Sequence, residues 1–185
     1  DDQVPLLEKL LGDPASLEMA RAVLDGIPGE TAAKVLRSAL NRLEGDALAG
    51  VIHSLGARRD AAAVDALSEM LRGGDRKLAL AAASALGHIA TPGAAAALGV
   101  AAAQAAQTAQ TASAELPAIL DAELRSAERS LAGGDIMSPD STYERIWSTH
   151  RTAPWSAAAL KGLVATRKAQ ALPLVLDTHG SPDPS

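Results

Sequence analysis

The sequence predicts an all-α protein, a right-handed solenoid of about five helical hairpins. Three observations predict it. A leucine returns with its surroundings at Leu24, Leu55, Leu86, Leu131 and Leu163, at intervals of 31, 31, 45 and 32 residues. A period near 30 in an Ala/Leu-rich chain marks stacked helical hairpins. Turn-forming residues interrupt each period at matching places. Finally, no stretch alternates apolar and polar residues long enough for a strand, and alanine supplies 42 of the 185 residues, so helix propensity is high throughout.

With each leucine as position 0, position −4 holds Ala20, Val51, Ala82, Ala127 and Ala159, and position −7 holds Leu17, Leu48, Ala79, Leu124 and Ser156. These positions share one helix face, and that face is small and apolar in nearly every copy. Position +12 holds Leu36, Leu67, Leu98, Tyr143 and Val175, on the helix that follows. Between the two stand Gly26-Ile27-Pro28-Gly29, Gly56-Ala57-Arg58-Arg59-Asp60 and Thr91-Pro92-Gly93. Each unit therefore reads helix, tight turn, helix.

The start and stop signals agree. Asp13-Pro14 is an N-cap followed by proline at the first helical position, and Asp46, Asp60, Asp75 and Ser141 stand where other helices should begin. Gly12, Gly45, Gly56 and Gly73 stand where helices should end in a left-handed cap. In chain order these signals predict helices over 3–11, 14–25, 30–43, 46–55, 60–72, 75–88, 92–112, 117–131, 141–149, 155–166 and 169–178.

The interval from Leu86 to Leu131 exceeds its neighbours by about 14 residues. The excess is the low-complexity Ala/Gln/Thr run at 102–115, read as an extension of the preceding helix plus a loop; a protruding finger that meets a partner is the alternative. Residues 1–178 form the repeat domain. Residues 179–185, with Gly180, Pro182 and Pro184, read as a flexible tail or linker, and a linker implies further protein after it.

Composition excludes several functions. There is no cysteine, so disulfides, thiolate metal sites and thiol catalysis are out. That fits either a reduced cytosol or an exported protein without disulfides. No signal peptide is visible, and the start at Asp1-Asp2 fits a mature or trimmed chain. No apolar run approaches the ~20 residues of a membrane span. The net charge of −5 opposes a nucleic-acid partner, which needs a basic face. The basic pairs Arg58-Arg59 and Arg76-Lys77 lie at turns beside Asp60 and Asp75, where such charges complement helix termini.

Chemistry-bearing constellations are missing as well. His53, His88 and His150 have no ligand partner at i+3 or i+4, His179 has only Asp183 in the proline-containing tail, and all four read as surface or capping residues. Glu123 and Glu128, interleaved with Arg125 and Arg129, read as a solvated, ion-paired helix face. Gly73-Gly74-Asp75 and Gly133-Gly134-Asp135 lack the length and lysine of a phosphate loop. No catalytic residue, cofactor or metal site is expected.

The segment Ala85-Leu86-Gly87-His88-Ile89, preceded by Asp75-Arg76-Lys77-Leu78-Ala79, resembles the HEAT-repeat family, and more closely its short repeats first noted in bilin lyases. Ser54 to Val64 resembles the same motif one unit earlier. The region 143–176 is loosely similar to HEAT-repeat proteins of planctomycetes. The resemblance implies stacked hairpins whose second helices line a concave surface, with a role in protein–protein interaction or scaffolding. A bilin lyase or isomerase and a HEAT-like nucleic-acid-binding protein are the alternatives. Where the family often carries an arginine, this chain has Ala79, which puts a ladder of charges between repeats in question.

On the second helices, positions −2 and −6 turn away from the core face. Among the residues they hold are Glu18, His53, Ser84, Arg125, Arg129 and Lys161, diluted by Ala22, Ala49 and Ala157. Tyr143, Trp147 and Trp155, the only aromatic residues besides histidine, gather in the last two units. They fill core or form an exposed patch; Trp and Tyr are common interface anchors. The candidate partner-binding residues are thus Glu18, His53, Ser84, Arg125, Arg129, Lys161, Trp147 and Trp155.

Overall fold

Every regular element among the described residues is helical. The computed structural model describes residues 4–13, 15–107, 115–151 and 154–180. The helices are α1 (Val4–Leu11), α2 (Leu17–Gly26), α3 (Glu30–Ala39), α4 (Gly45–Ala57), α5 (Val64–Arg72, entered through a 3₁₀ turn at Ala61–Ala63), α6 (Arg76–Ile89), α7 (Pro92–Gln107), α8 (Leu116–Ala132), α9 (Met137–Thr149), α10 (Pro154–Arg167) and, after a second 3₁₀ turn at Lys168–Ala171, α11 (Leu172–Gly180). Each predicted helix is present. The part of the Ala/Gln/Thr run at 108–114 and the tail beyond residue 180 lie outside the described residues. α11 runs two residues past the predicted end at 178.

The packing follows the leucine phase. α2 lies on α4, α4 on α6 and α6 on α8, while α3, α5, α7 and α9 each pack against the helix that follows. Leu24, Leu55, Leu86 and Leu163 are fully buried, and all five residues at position −4 are buried. On the partner helices Leu36, Leu67, Leu98 and Tyr143 are buried too. The core is built of many small contacts, since most of its residues are alanine or leucine.

Leu131 departs from this pattern: it is only half-buried. Glycine contacts show why. A Cβ on Gly56 would stand 2.7 Å from the Ala85 Cα, and one on Gly87 would stand 2.8 Å from the Ala122 carbonyl oxygen. Gly56 and Gly87 both follow a reference leucine, so Ala122 in α8 takes the place that Ala85 takes in α6. Glu123, the next residue, then occupies the place of Leu86, and Leu131 lies two turns beyond it toward the end of α8. Gly56, expected to end a helix, instead sits inside α4 and permits the close approach of α6.

The helix ends correct other expectations. Asp60 and Asp75 are N-caps: Asp60 Oδ1 accepts from the Ala62 N–H at 3.0 Å, and Asp75 Oδ1 from the Lys77 N–H at 2.8 Å. Asp46 instead lies in the first turn of α4 and pairs with Lys77. Asp13 accepts from the Ala15 N–H at 3.2 Å in a turn, and α2 starts only at Leu17. Ser141 lies inside α9, which begins at Met137 because Asp135 caps it, accepting from the Met137 and Ser138 N–H groups.

Charges do link neighbouring units despite Ala79. Arg58 donates to the Leu24, Ile27 and Gly29 carbonyls at 2.8–2.9 Å, closing the C-terminal end of α2. Arg37 pairs with Asp60, and Arg167 with Asp140.

Arg59 and Ala90 end α4 and α6 with φ of 54° and 55°, the left-handed cap position that favours glycine. Ala90→Gly is expected to raise the urea midpoint, by about 0.5–1 kcal/mol, because relief of the left-handed strain exceeds the extra freedom of the unfolded chain. A lowered midpoint would contradict the strain.

Candidate functional site

The C-terminal ends of α4 and α6 lie side by side, and the last turns of α8, which runs on past them, border the turns that follow. This rim carries a concentration of basic side chains. Position −2 delivers His53 from α4 and Arg129 from α8, position −6 adds Arg125, the left-handed turn after α4 adds Arg59, and the last turn of α6 adds His88. His53, Arg59, Arg125 and Arg129 all act on His88, and together with partial burial they hold its imidazole below its ordinary range. Burial contributes most.

Arg129 Nη2 lies 3.4 Å from His88 Nδ1. A guanidinium only donates, so Nδ1 accepts and the neutral ring keeps its proton on Nε2. Beside this pair is a recess of about 330 Å³, lined by Arg59, His88, Ile89, Ala90, Pro92, Arg129, Ser130, Gly133 and Asp135. Among the described residues, Arg59, Arg125 and Arg129 form no ion pair with a carboxylate. Asp135 is the acidic residue of the lining, and its Oδ1 is committed to the α9 N-cap; hydrogen bonds from Ser138 and Met137 hold its carboxyl below the ordinary value.

The structure thus brings His53, Arg125 and Arg129 together and adds Arg59 and His88, which the sequence reading took as helix-end residues. A signal for them exists: both stand within four residues after a reference leucine, at the same end of adjacent helices. Ser84 is half-buried on α6. Glu18 is exposed on α2 and tied to Arg21 at 2.7 Å. Ala49, expected to face outward, is buried, because α4 is covered from both sides by α2 and α6.

Lys161 lines a different recess, of about 430 Å³, with Glu128, Leu131, Tyr143 and Gly162. Tyr143 is core: its ring lies on Gly162, where a Cβ would stand 2.5 Å from ring carbons. Burial, with Glu128 adding to it, pushes the phenol up to about 12. Trp147 is 5% exposed, so its indole fills the core of α9 and presents little surface to a partner. Its Nε1–H is buried without a hydrogen-bond acceptor, and Arg151 stands over the ring at 5.3 Å. Trp155 is half-buried and donates from Nε1 to Asp121 Oδ1 at 2.9 Å.

Glu123 reverses its expected place. It is 3% exposed, not part of a solvated face, and it pairs with Arg145 of α9. Burial pushes its carboxyl up, opposed by Arg145.

No protein-family model matches the chain, and no curated protein resembles it significantly. Among the described residues no group of three or more His, Asp or Glu gathers as metal ligands, and no helix is long and apolar enough to cross a membrane.

Proposed function

We propose that the chain is a right-handed solenoid of about five HEAT-like hairpins that serves as a non-catalytic docking module for a protein partner. The alternation of helix pairs, the burial of position −4 in all five copies and that of positions 0 and +12 in four of the five support the solenoid. The observation that carries the functional reading is the basic rim: three arginines and two histidines gather on α4, α6, α8 and the turn after α4, in a chain whose net charge is −5. Arginine is a frequent interface anchor, and a local charge opposite to the protein's own attracts an anionic segment at short range.

The test uses a fluorescent glutamate-rich peptide and its lysine-rich counterpart. The glutamate peptide is expected to bind in a salt-sensitive manner and the lysine peptide not to bind. Arg125→Glu/Arg129→Glu is expected to keep the helical spectrum and weaken the glutamate peptide at least tenfold, ~1.4 kcal/mol. Unchanged binding in the double variant would remove this face as the docking surface.

A further inference from the structure

We propose that the recess at the ends of α4, α6 and α8 is a binding site for one doubly charged tetrahedral oxyanion, a phosphoryl or sulfate group, held by Arg59, Arg129 and His88. The inference rests on the docking face proposed above and names the group that face recognises.

Charge selects the dianion. The groups around His88 are His53 from α4, Arg59 from the turn after α4, Arg125 and Arg129 from α8, and Asp135 from the loop after α8. The first residues of α7 bring no charge to the lining: Pro92 is its member there. The lining itself holds two guanidinium charges against one carboxylate, and Arg125, beside His88 but outside the lining, adds a third, so the neighbourhood carries two uncompensated positive charges. A single carboxylate ligand neutralises half of that; a phosphoryl or sulfate dianion neutralises all of it.

Donor geometry agrees. Arginine forks match the oxygens of tetrahedral oxyanions. Arg59 and Arg129 both line the recess, and they approach it from different elements. Arg129 spends one of its donors on His88 Nδ1 at 3.4 Å, a long contact, and that donor is available for exchange. His88 contributes the Nε2–H in its neutral form. Once an anion draws Arg129 away, Nδ1 is free to take a proton, and the anion favours that proton. Anion binding and protonation of His88 are therefore coupled: binding strengthens as pH falls through the histidine range, and the bound anion raises the His88 midpoint.

Sulfate is the first probe, because its charge stays fixed while histidine titrates. It is added to the full chain at constant ionic strength, with chloride as the balancing ion, and the His88 Cε1–H resonance is followed, assigned with His88→Gln. The expected result is a saturable shift and a His88 midpoint raised by at least about half a pH unit, roughly threefold in the protonation constant. Arg59→Gln/Arg129→Gln is expected to weaken sulfate at least tenfold, and Lys34→Gln on α3 to leave it unchanged. If the double variant loses helicity, Arg59→Gln, at an exposed side chain, carries the comparison with at least a threefold loss expected. A shift that follows ionic strength alone, or binding that survives loss of the arginines, overturns the site.

Phosphate and a phosphoserine peptide then locate the group. Tighter binding of the peptide than of inorganic phosphate places the dianion on a partner chain; equal affinity places it on a small free anion. A phosphopeptide that binds no better than its unphosphorylated form overturns the site. Failure here is separable from failure of the docking face. Glutamate-peptide binding that depends on Arg125 and Arg129, without any sulfate site, sinks only the dianion. A sulfate site without such peptide binding sinks only the docking of acidic segments.

Discussion

Replacing Leu86 by alanine is expected to destabilise the protein by ~2–5 kcal/mol, the range for a leucine that leaves a cavity in a packed interior. Leu86 has no exposed surface and sits on α6, which packs against α4, α5, α7 and α8. Neighbouring helices are held apart by residues as small as Gly56, Gly87 and Ala85, so they have little slack with which to close a void. Leu131→Ala removes the same atoms from a half-buried place at the end of α8 and is expected to cost about 1 kcal/mol. Urea unfolding of the two variants measures the contrast. A Leu86→Ala cost below ~1 kcal/mol, or equal costs at the two sites, would contradict the packing.

That contrast also marks where the sequence was legible. Periodicity fixes which face of a helix is buried, and at position −4 it did so for all five copies: Ala127 is buried as surely as Ala82. It does not fix how far one helix slides along its neighbour. A slide by whole turns keeps nearly the same face inward, so Leu131, two turns past the place of Leu86, carries the right phase at the wrong height. The long interval conceals the slide, because the same excess length fits a longer loop, a longer α7 or a displaced α8. Gly56 was misread for a related reason. A glycine near a helix end serves as a cap or as a site of close approach, and sequence alone does not tell which.

The candidate site was legible in part. Arg125, Arg129 and His53 followed from helix geometry, since positions −2 and −6 face away from the core. Arg59 and His88 did not, because their role depends on where the end of α8 comes to lie beside the turns that follow α4 and α6. Arg58 and Arg59 are neighbours of one type with opposite uses. Arg58 turns back to close the α2 carbonyls, whereas Arg59 lines the recess in a left-handed turn. Trp147 was a coin of two faces in the sequence; an i, i+4 spacing from Tyr143 puts both residues on one side of α9, and that side is the buried one.

Glu123 gives the second large effect. In the register set by Gly56 on Ala85 and Gly87 on Ala122, it replaces a core leucine with a carboxylate. Arg145 satisfies Oε1, while Oε2 is buried with no hydrogen-bond partner. Gly99 on α7 faces this carboxylate: a Cβ there would stand in contact with Glu123 Oε1, at 3.4 Å. Removing one member of a buried pair strands the other, and this costs far more than the pair contributes. Arg145→Ala is therefore expected to destabilise the fold by about 3 kcal/mol at neutral pH. Glu123→Leu, which restores the residue type of the other units, is expected to be neutral or to stabilise by about 1 kcal/mol, since the Arg145 side chain is 37% exposed and can turn to water.

The pH dependence has a definite sign. Burial raises the Glu123 carboxyl above its ordinary 4.5, so the folded chain holds this proton more tightly than the unfolded chain. Its contribution to stability falls as pH rises from 4.5 through the raised value. In Arg145→Ala the carboxyl is raised further, and the variant's deficit should shrink on acidification toward pH 5. Urea midpoints of the parent, Arg145→Ala and Glu123→Leu/Arg145→Ala across this range separate the causes. The double variant has no buried carboxylate to strand, so it should recover most of the loss and lose the pH dependence of the deficit. A double variant as unstable as Arg145→Ala would mean that Arg145 acts by packing its alkyl stem against α8, and that the charge of Glu123 is immaterial.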